Sequence, residues 1–312
     1  MDIGDYVTEK GVILHAWGNH IADQIAASCG ALLKVPAQVR VKDPTSARGK
    51  QLRKNYSSPV TQMTDLVGAR FVVLTSVDLL PVRTFLESFA GWDASQARDP
   101  DEEIARDPTT FGYQSHHYEV RPRVPIDLGG NMVTQDICCE VQVRTLLQHA
   151  YAELTHDALY KPSQVVPSQS QRLVARSMAL METTDELLCN AIKAVRAANE
   201  PAHALQSKAR DLTAGLGHAA PQNVLDLIAD AFRDEIRPTS SREIQEFAEA
   251  NSFIAGKLRD RLGRPGLFAF PDAALIAYWL TQVAEEDLVE RWPLPSTVDD
   301  VKLVMSDMGL GF

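Results

Sequence analysis

The stretch Asp65-Leu-Val-Gly-Ala-Arg-Phe-Val-Val-Leu-Thr75 decides the fold. Its second half, from Phe71 to Thr75, is continuously apolar and β-branched, as expected of a strand buried on both faces. Asp65 stands at the entrance to that strand, where a carboxylate needs a partner. A second stretch, Ile137 to Arg144, alternates. Ile137, Cys139, Val141 and Val143 take one face, and Cys138, Glu140, Gln142 and Arg144 take the other. The cysteines read as small core residues. His116–Arg121 alternates as a third strand, and Val39–Lys42 is extended. Helical spacing marks residues 8–34, 45–56, with Thr45 or Ser46 as N-cap, 79–90 and the stretch from Thr145 through His149, Glu153 and His156. Asp93–Phe111 reads as a polar loop.

After about residue 170 only helical patterns follow: 171–199, 222–236, 241–262, 273–292 and 298–308, punctuated by Pro and Gly. The expected architecture is an α/β (α+β) domain over residues 1–165, then an all-α C-terminal extension over 166–312.

Composition excludes several classes. With 312 residues, 45% hydrophobic and 23% charged, the chain has ordinary globular usage, so fibrous and wholly disordered readings fail. No apolar run reaches the ~20 residues of a membrane span, and the N-terminus lacks a signal-peptide pattern. Cys29, Cys138, Cys139 and Cys189 show no CxxC or zinc-ligand spacing, so a reduced, cytoplasmic setting is expected. The net charge is −10, but Lys34 to Arg70 holds eight bases against two acids. A local cationic site in an acidic protein suits a compact polyanion such as a nucleoside triphosphate. It suits a broad DNA-binding face less well, so no DNA partner is expected.

Three clusters carry chemistry. Arg40 and Lys42 share a strand face, and Lys50 and Lys54 share a helix face beside Ser46, so four cations converge on one triphosphate. Asp65 with Arg70 suits a hard cation such as Mg²⁺, which takes carboxylate and phosphate oxygens together. Glu140, Gln142 and Arg144 form a polar strand face.

The order Arg40-x-Lys42…Ser46…Lys50…Lys54, Asp65-x-x-Gly68-x-Arg70, Gly112-Tyr113-Gln114-Ser115-x-His117, Glu140-x-Gln142-x-Arg144-Thr145, His149…Ala152-Glu153…His156…Tyr160-Lys161 resembles the RelA/SpoT-type alarmone synthetase domain. The resemblance spans roughly residues 35–165. It implies a nucleotidyltransferase-like mixed sheet flanked by helices. It also implies transfer of the β,γ-pyrophosphate of ATP to the ribose 3′-hydroxyl of GDP or GTP, giving (p)ppGpp and AMP. By motif, Arg40 and Arg70 would sandwich adenine, and Lys42, Ser46, Lys50 and Lys54 would hold the ATP phosphates. Asp65 and Glu140 would bind Mg²⁺, with Glu140 also the base for the 3′-hydroxyl. Tyr113 would stack on the acceptor base; Gln114, Ser115, His117, Gln142 and Arg144 would line the acceptor side.

Two departures from the family pattern stand out. The segment before Gly112, Asp99–Phe111, has five acids and one base, Arg106, where many members carry a Lys- and Asn-containing loop. An acidic loop is a poor site for a pyrophosphate, which brings in the tRNA 3′ end or an adenosine nucleotide as alternative acceptors. His116 replaces a usual aliphatic residue and reads as a strand residue facing a helix or solvent. Too few residues precede Arg40 for the family's separate hydrolase domain, so synthesis without hydrolysis is expected, with a toxin or defence role suggested. A reading of another class is a nucleotide sensor without turnover. The extension is a candidate scaffold, lid, oligomerisation surface, or contact for an antitoxin or trigger protein.

Overall fold

A computed structural model describes residues 2–112, 114–158 and 166–311, with the backbone alone for His156 to Ala158. Tyr113, the side chains of His156 and Asp157, and Tyr160-Lys161 therefore lie outside the described residues. Two compact units result, Met1–Ala191 and Ile192–Phe312.

The first unit opens with α1 (Ile3–Cys29), whose free N–H groups at Gly4 and Asp5 are accepted by the Asp2 carboxylate. Then follow β1 (Leu33–Val41), α2 (Pro44–Lys54), α3 (Pro59–Gln62), β2 (Val67–Val73), α4 (Leu79–Ser88), β3 (Trp92–Arg98) and α5 (Pro100–Arg106). β4 (His116–Pro122), the small pair β5 (Ile126–Asp127) and β6 (Met132–Val133), β7 (Cys139–Thr145) and α6 (Leu146–Ala158) complete it. α7 (Ser168–Leu212) begins in this unit and continues past its boundary.

The sheet order is β1-β2-β7-β4-β3. β2 and β7 run parallel and the other neighbours antiparallel, so the sheet is mixed, as the family resemblance implied. One face is apolar. Phe71, Val73, Cys139, Val141, Val143, Tyr118 and Val120 bury against Leu14, Trp17, Ile21 and Ile25 of α1 and Val82 and Leu86 of α4. The Trp17 indole donates to the Val120 carbonyl at 3.1 Å, fixing α1 across the sheet. Gly18 sets how close α1 lies. A Cβ there would come within 2.5 Å of Val39 Cγ1 and 2.9 Å of Val67 Cγ2.

Three sequence expectations need correction. The cap of α2 is Asp43, which accepts the Ser46 N–H at 3.0 Å with Pro44 pre-set at the first turn. Thr45 and Ser46 lie inside the helix. The supposed polar loop Asp93–Phe111 is mostly β3 and α5. β3 is an edge strand whose residues after Trp92 are largely exposed, so no apolar pattern announced it. Three acids in the first turn of α5, Asp101, Glu102 and Glu103, favour the helix by facing its positive end. Finally, Arg144, on the polar side of β7, is buried like its apolar neighbours, whereas Cys138 and Cys139 are buried as the sequence suggested.

The second unit is helical, and α7 continues through Pro201 rather than stopping near Asn199. After it come α8 (Gln222–Ala231), α9 (Arg233–Ile236), α10 (Ser241–Ala250), α11 (Phe253–Asp260), α12 (Pro271–Val283), α13 (Leu288–Arg291) and α14 (Val298–Asp307). Three expected helices are thus each broken in two. α12 is buried from Pro271 to Thr281, apolar on every side, and is the centre on which the others pack. Buried Asp272 accepts the Ala220 N–H and faces Arg210 at 3.4 Å. Asp307 gathers Lys257, Arg261 and the Tyr278 hydroxyl, which ties α14 to α11 and α12.

All four cysteines are buried free thiols. Burial pushes the Cys138 thiol up to about 12, and Cys139 is raised as well. Among the described residues, no helix is long and apolar enough to cross a membrane.

Candidate active site

The face of the sheet opposite α1 and α4 is polar because strand alternation leaves it so. Strand register lines up Arg40, Gly68, Glu140 and Glu119 on β1, β2, β7 and β4. Two residues along lie Gln38, Arg70, Gln142 and His117. Gly68 carries no side chain between Arg40 and Glu140. A cleft of ≈ 1050 Å³ opens over these rows. α2 supplies Ser46, Lys50 and Arg53 to its lining, α6 supplies Tyr151, Ala152, Glu153 and Thr155, and the segment before β4 supplies Thr110, Phe111 and Gly112.

Six cations line the cleft (Arg40, Lys42, Lys50, Arg53, Arg70, Arg144) against three carboxylates (Asp65, Glu140, Glu153). The surplus is positive within an acidic chain. Asp65 receives Lys42 Nζ at 2.6 Å and Lys50 Nζ at 2.7 Å, both on Oδ2. Its Oδ1 is buried with no hydrogen-bond partner. Burial raises the Asp65 carboxyl, but the two ammonium groups outweigh it, and its pKa lies below the ordinary value. Glu140 Oε1 accepts Gln142 Nε2 at 2.7 Å and lies 3.7 Å from His117 Nδ1. Burial raises Glu140 too, and the hydrogen bonds from His117 and Gln142 bring it below the usual value, so it is ionised at neutral pH.

Glu153 gathers the remaining charges. Its Oε1 lies 2.7 Å from Arg70 Nη1, 3.8 Å from Arg144 Nη2 and 3.7 Å from His149 Nδ1. Arg70 also donates to Gln38 at 3.2 Å. Burial, then Arg144 and Arg70, depress the His149 pKa. Among the described residues Arg40 and Arg53 have no ion-pair partner and face the cleft.

Of the residues singled out from sequence, Arg40, Lys42, Ser46, Lys50, Asp65, Arg70, Glu140, Gln142 and Arg144 line this one cleft. His117 reaches it through Glu140. Lys54 is exposed and outside the lining. Arg53 takes that place, because Ser46, Lys50 and Arg53 at i, i+4 and i+7 form a straighter helical stripe than one ending at Lys54. Gln114 and Ser115 are buried beside the cleft. Sequence reasoning also missed Gln38, although it continues the Arg40 and Lys42 alternation, and it gave Glu153 no role.

The acidic segment before Gly112 is partly compensated by its own neighbours. Glu103 forms two bonds with Arg98, at 2.8 and 2.7 Å. Asp99 and Asp101 both lie 3.5 Å from Arg83, and Asp107 accepts the hydroxyls of Thr109 and Thr110. Asp99, Asp101 and His116 bring three ligand atoms together. The Arg83 guanidinium is 3.5 Å from each of these side chains and does a cation's work there. His116 is buried on the α4 side of the sheet, away from the cleft.

Residues 39–165 match the family described as "Region found in RelA / SpoT proteins". No curated protein matches the chain. Among solved structures, the small alarmone synthetase 1 of Bacillus subtilis is similar at 21% identity and a TM-score of 0.52, over 62% of this chain and 98% of that one. The same protein bound to its product pppGpp gives 18% identity and a TM-score of 0.51, covering 61% and 99%. The small alarmone synthetase 2 of Bacillus subtilis gives 21% and 0.50, covering 61% and 98%. These likenesses show the fold.

Proposed function

From a chain whose residues 39–165 are a RelA/SpoT-type region on the small alarmone synthetase fold, we propose an ATP-dependent pyrophosphokinase. The β,γ-pyrophosphate of ATP passes to the ribose 3′-hydroxyl of a guanosine nucleotide, GDP or GTP, and AMP leaves. The observation that carries this reading is the cleft itself: six cations around the carboxylates of Asp65, at the entrance to β2, and Glu140, on the neighbouring β7.

Transfer at phosphorus needs in-line positioning and a field that neutralises phosphate charge. Lys42, Lys50 and Arg53 supply that field along one wall, with the Ser46 hydroxyl among them. Arg40 and Arg70, diagonal neighbours on β1 and β2, offer flat guanidinium faces to the adenine. Glu140 accepts the proton of the 3′-hydroxyl. Its ionised state suits an acceptor of protons, and Gln142 and His117 fix the carboxylate's direction. The unpartnered Asp65 Oδ1 is the kind of oxygen a hard cation takes, so Asp65 and Glu140 fit Mg²⁺. When bound, that ion would neutralise phosphate charge and orient the phosphate oxygens. Tyr113, outside the described residues, is assigned the acceptor base on its motif alone, between the cleft-lining Gly112 and the buried Gln114.

The ion pairs of Arg83 with Asp99 and Asp101, and of Arg98 with Glu103, remove part of the objection that the acidic segment raised against a nucleotide acceptor. Three of the five acids are paired with Arg83 or Arg98, so the segment repels an acceptor's phosphates less than its count of acids suggests. The tRNA 3′ end is the second reading, and a sensor without turnover is the third.

The test is purified protein with γ-³²P-labelled ATP and Mg²⁺, offered GDP, GTP, ADP, ATP and deacylated tRNA separately. Label on GDP or GTP is expected. Label only on tRNA would replace the acceptor assignment, and bound ATP with no transfer would favour the sensor.

A further inference from the structure

Gln114 lies between the cleft-lining Gly112 and the strand that carries His117. Its side chain is buried and held from two sides. Gln114 Nε2 donates to Glu182 of α7, and Gln114 Oε1 accepts Gln148 Nε2 of α6 at 3.2 Å. Gln148 is itself fixed: its Oε1 accepts the Thr145 N–H at 2.9 Å, and its own N–H donates to Thr145 Oγ1 at 3.2 Å. One turn further along α7, Asp185 Oδ2 accepts the Ser76 N–H at 3.1 Å. α7 therefore grips two loops of the first unit, one of them the segment 110–115. Three residues of that segment, Thr110, Phe111 and Gly112, line the cleft, as do Gln171, Val174 and Ala175 of α7. Glu182 lies beyond residues 39–165, so this grip comes from outside the family region.

We propose that Glu182 is a positioning residue for the acceptor side of the cleft, acting through Gln114 on segment 110–115. The proposal rests on the pyrophosphokinase reading for its acceptor but not for its geometry. A buried amide held by two partners has one orientation, and removing the charged partner leaves an N–H of Gln114 buried and unmatched. The segment then loosens toward the acceptor, while Arg40, Lys42, Lys50 and Asp65, on β1, α2 and the entrance to β2, keep their own contacts.

The test compares wild type, Glu182→Ala and Glu182→Gln. Glutamine keeps a carbonyl oxygen that accepts the Gln114 N–H, so it should rescue. Glu182→Ala should raise the KM for GDP or GTP by about 10-fold, the scale of a lost hydrogen bond to a charged group. KM for ATP and kcat at saturating acceptor should change less than about 2-fold, and Glu182→Gln should recover most of the acceptor affinity. Amide hydrogen exchange provides a readout independent of activity. Exchange over 110–117 should rise in Glu182→Ala, with 40–54 and 65–70 unchanged. Unaltered exchange over 110–117 overturns the proposal, as does an equal rise in both KM values or a Glu182→Gln as impaired as Glu182→Ala. A wild type that transfers pyrophosphate to nothing defeats the pyrophosphokinase reading and with it the acceptor role, while the exchange data still decide the grip.

Discussion

Asp65 binds two ammonium groups through one oxygen and keeps the other bare, and that asymmetry has a pH signature. Its folded pKa is below its unfolded value, so the folded state favours the ionised form. The stabilisation is therefore present above the ordinary aspartate range and is lost as pH falls through it, below about pH 4. Asp65→Asn should lower Tm at pH 7, and the gap to wild type should close as pH falls below the ordinary aspartate value of about 4. A gap that stays constant as the pH is lowered would rule out the Asp65 pairing as its source. Glu140 makes a complementary case. Glu140→Ala should leave ATP binding within a few-fold and lower kcat by roughly 10²- to 10⁴-fold, the range for loss of a general base. Full activity in that variant would remove Glu140 from the mechanism.

At the scale of elements, α1 meets the sheet closely because Gly18 has no Cβ. Gly18→Ala gains helix propensity, but its methyl meets the stiff, β-branched Val39 and Val67. A net loss of about 1–3 kcal/mol is expected, as for overpacking. Thermal denaturation checks it, and an unchanged or higher Tm would mean that α1 can shift. This is also the scale on which the sequence was read best and worst. β2 and β7 were legible because both are central and carry regular apolar patterns, and Ile137, Cys139, Val141 and Val143 do point to the core. β3 was not legible because an edge strand exposes Asp93, Gln96 and their neighbours, so alternation carries little signal. Motif spacing brought nine residues into one cleft, while Arg53 and Glu153 needed the geometry. Arg53 is separated from Lys54 only by helical phase, and Glu153 reveals itself only where α6 meets Arg70 and Arg144. The acidic run before Gly112 misled because a count of acids does not show that Arg83 and Arg98 lie against them.

On the scale of the whole molecule there are two cores. One draws only on residues from Ile3 to Val143 and the other only on residues from Leu205 to Met305. Separate cores predict separable unfolding. Calorimetry should resolve two transitions, with ATP and Mg²⁺ raising only one of them. Phe232→Ala, at a fully buried position of the helical core, should lower the other by about 3–5 kcal/mol. A single transition that ATP and Phe232→Ala both move would show that the two cores unfold together.

The buried thiols turn this division into a reporter. Cys29, Cys138, Cys139 and Cys189 all fall in the first unit, and none lies after residue 189. Only a thiolate reacts quickly with an alkylating reagent; burial restricts access to all four thiols and also raises the pKa of Cys138 and Cys139. The native chain carries four silent probes, each of which becomes reactive when its own surroundings open. Labelling rates therefore time the breathing of the mixed sheet and of α7 near Ser76 without an introduced tag, and the helical unit contributes no background to that clock.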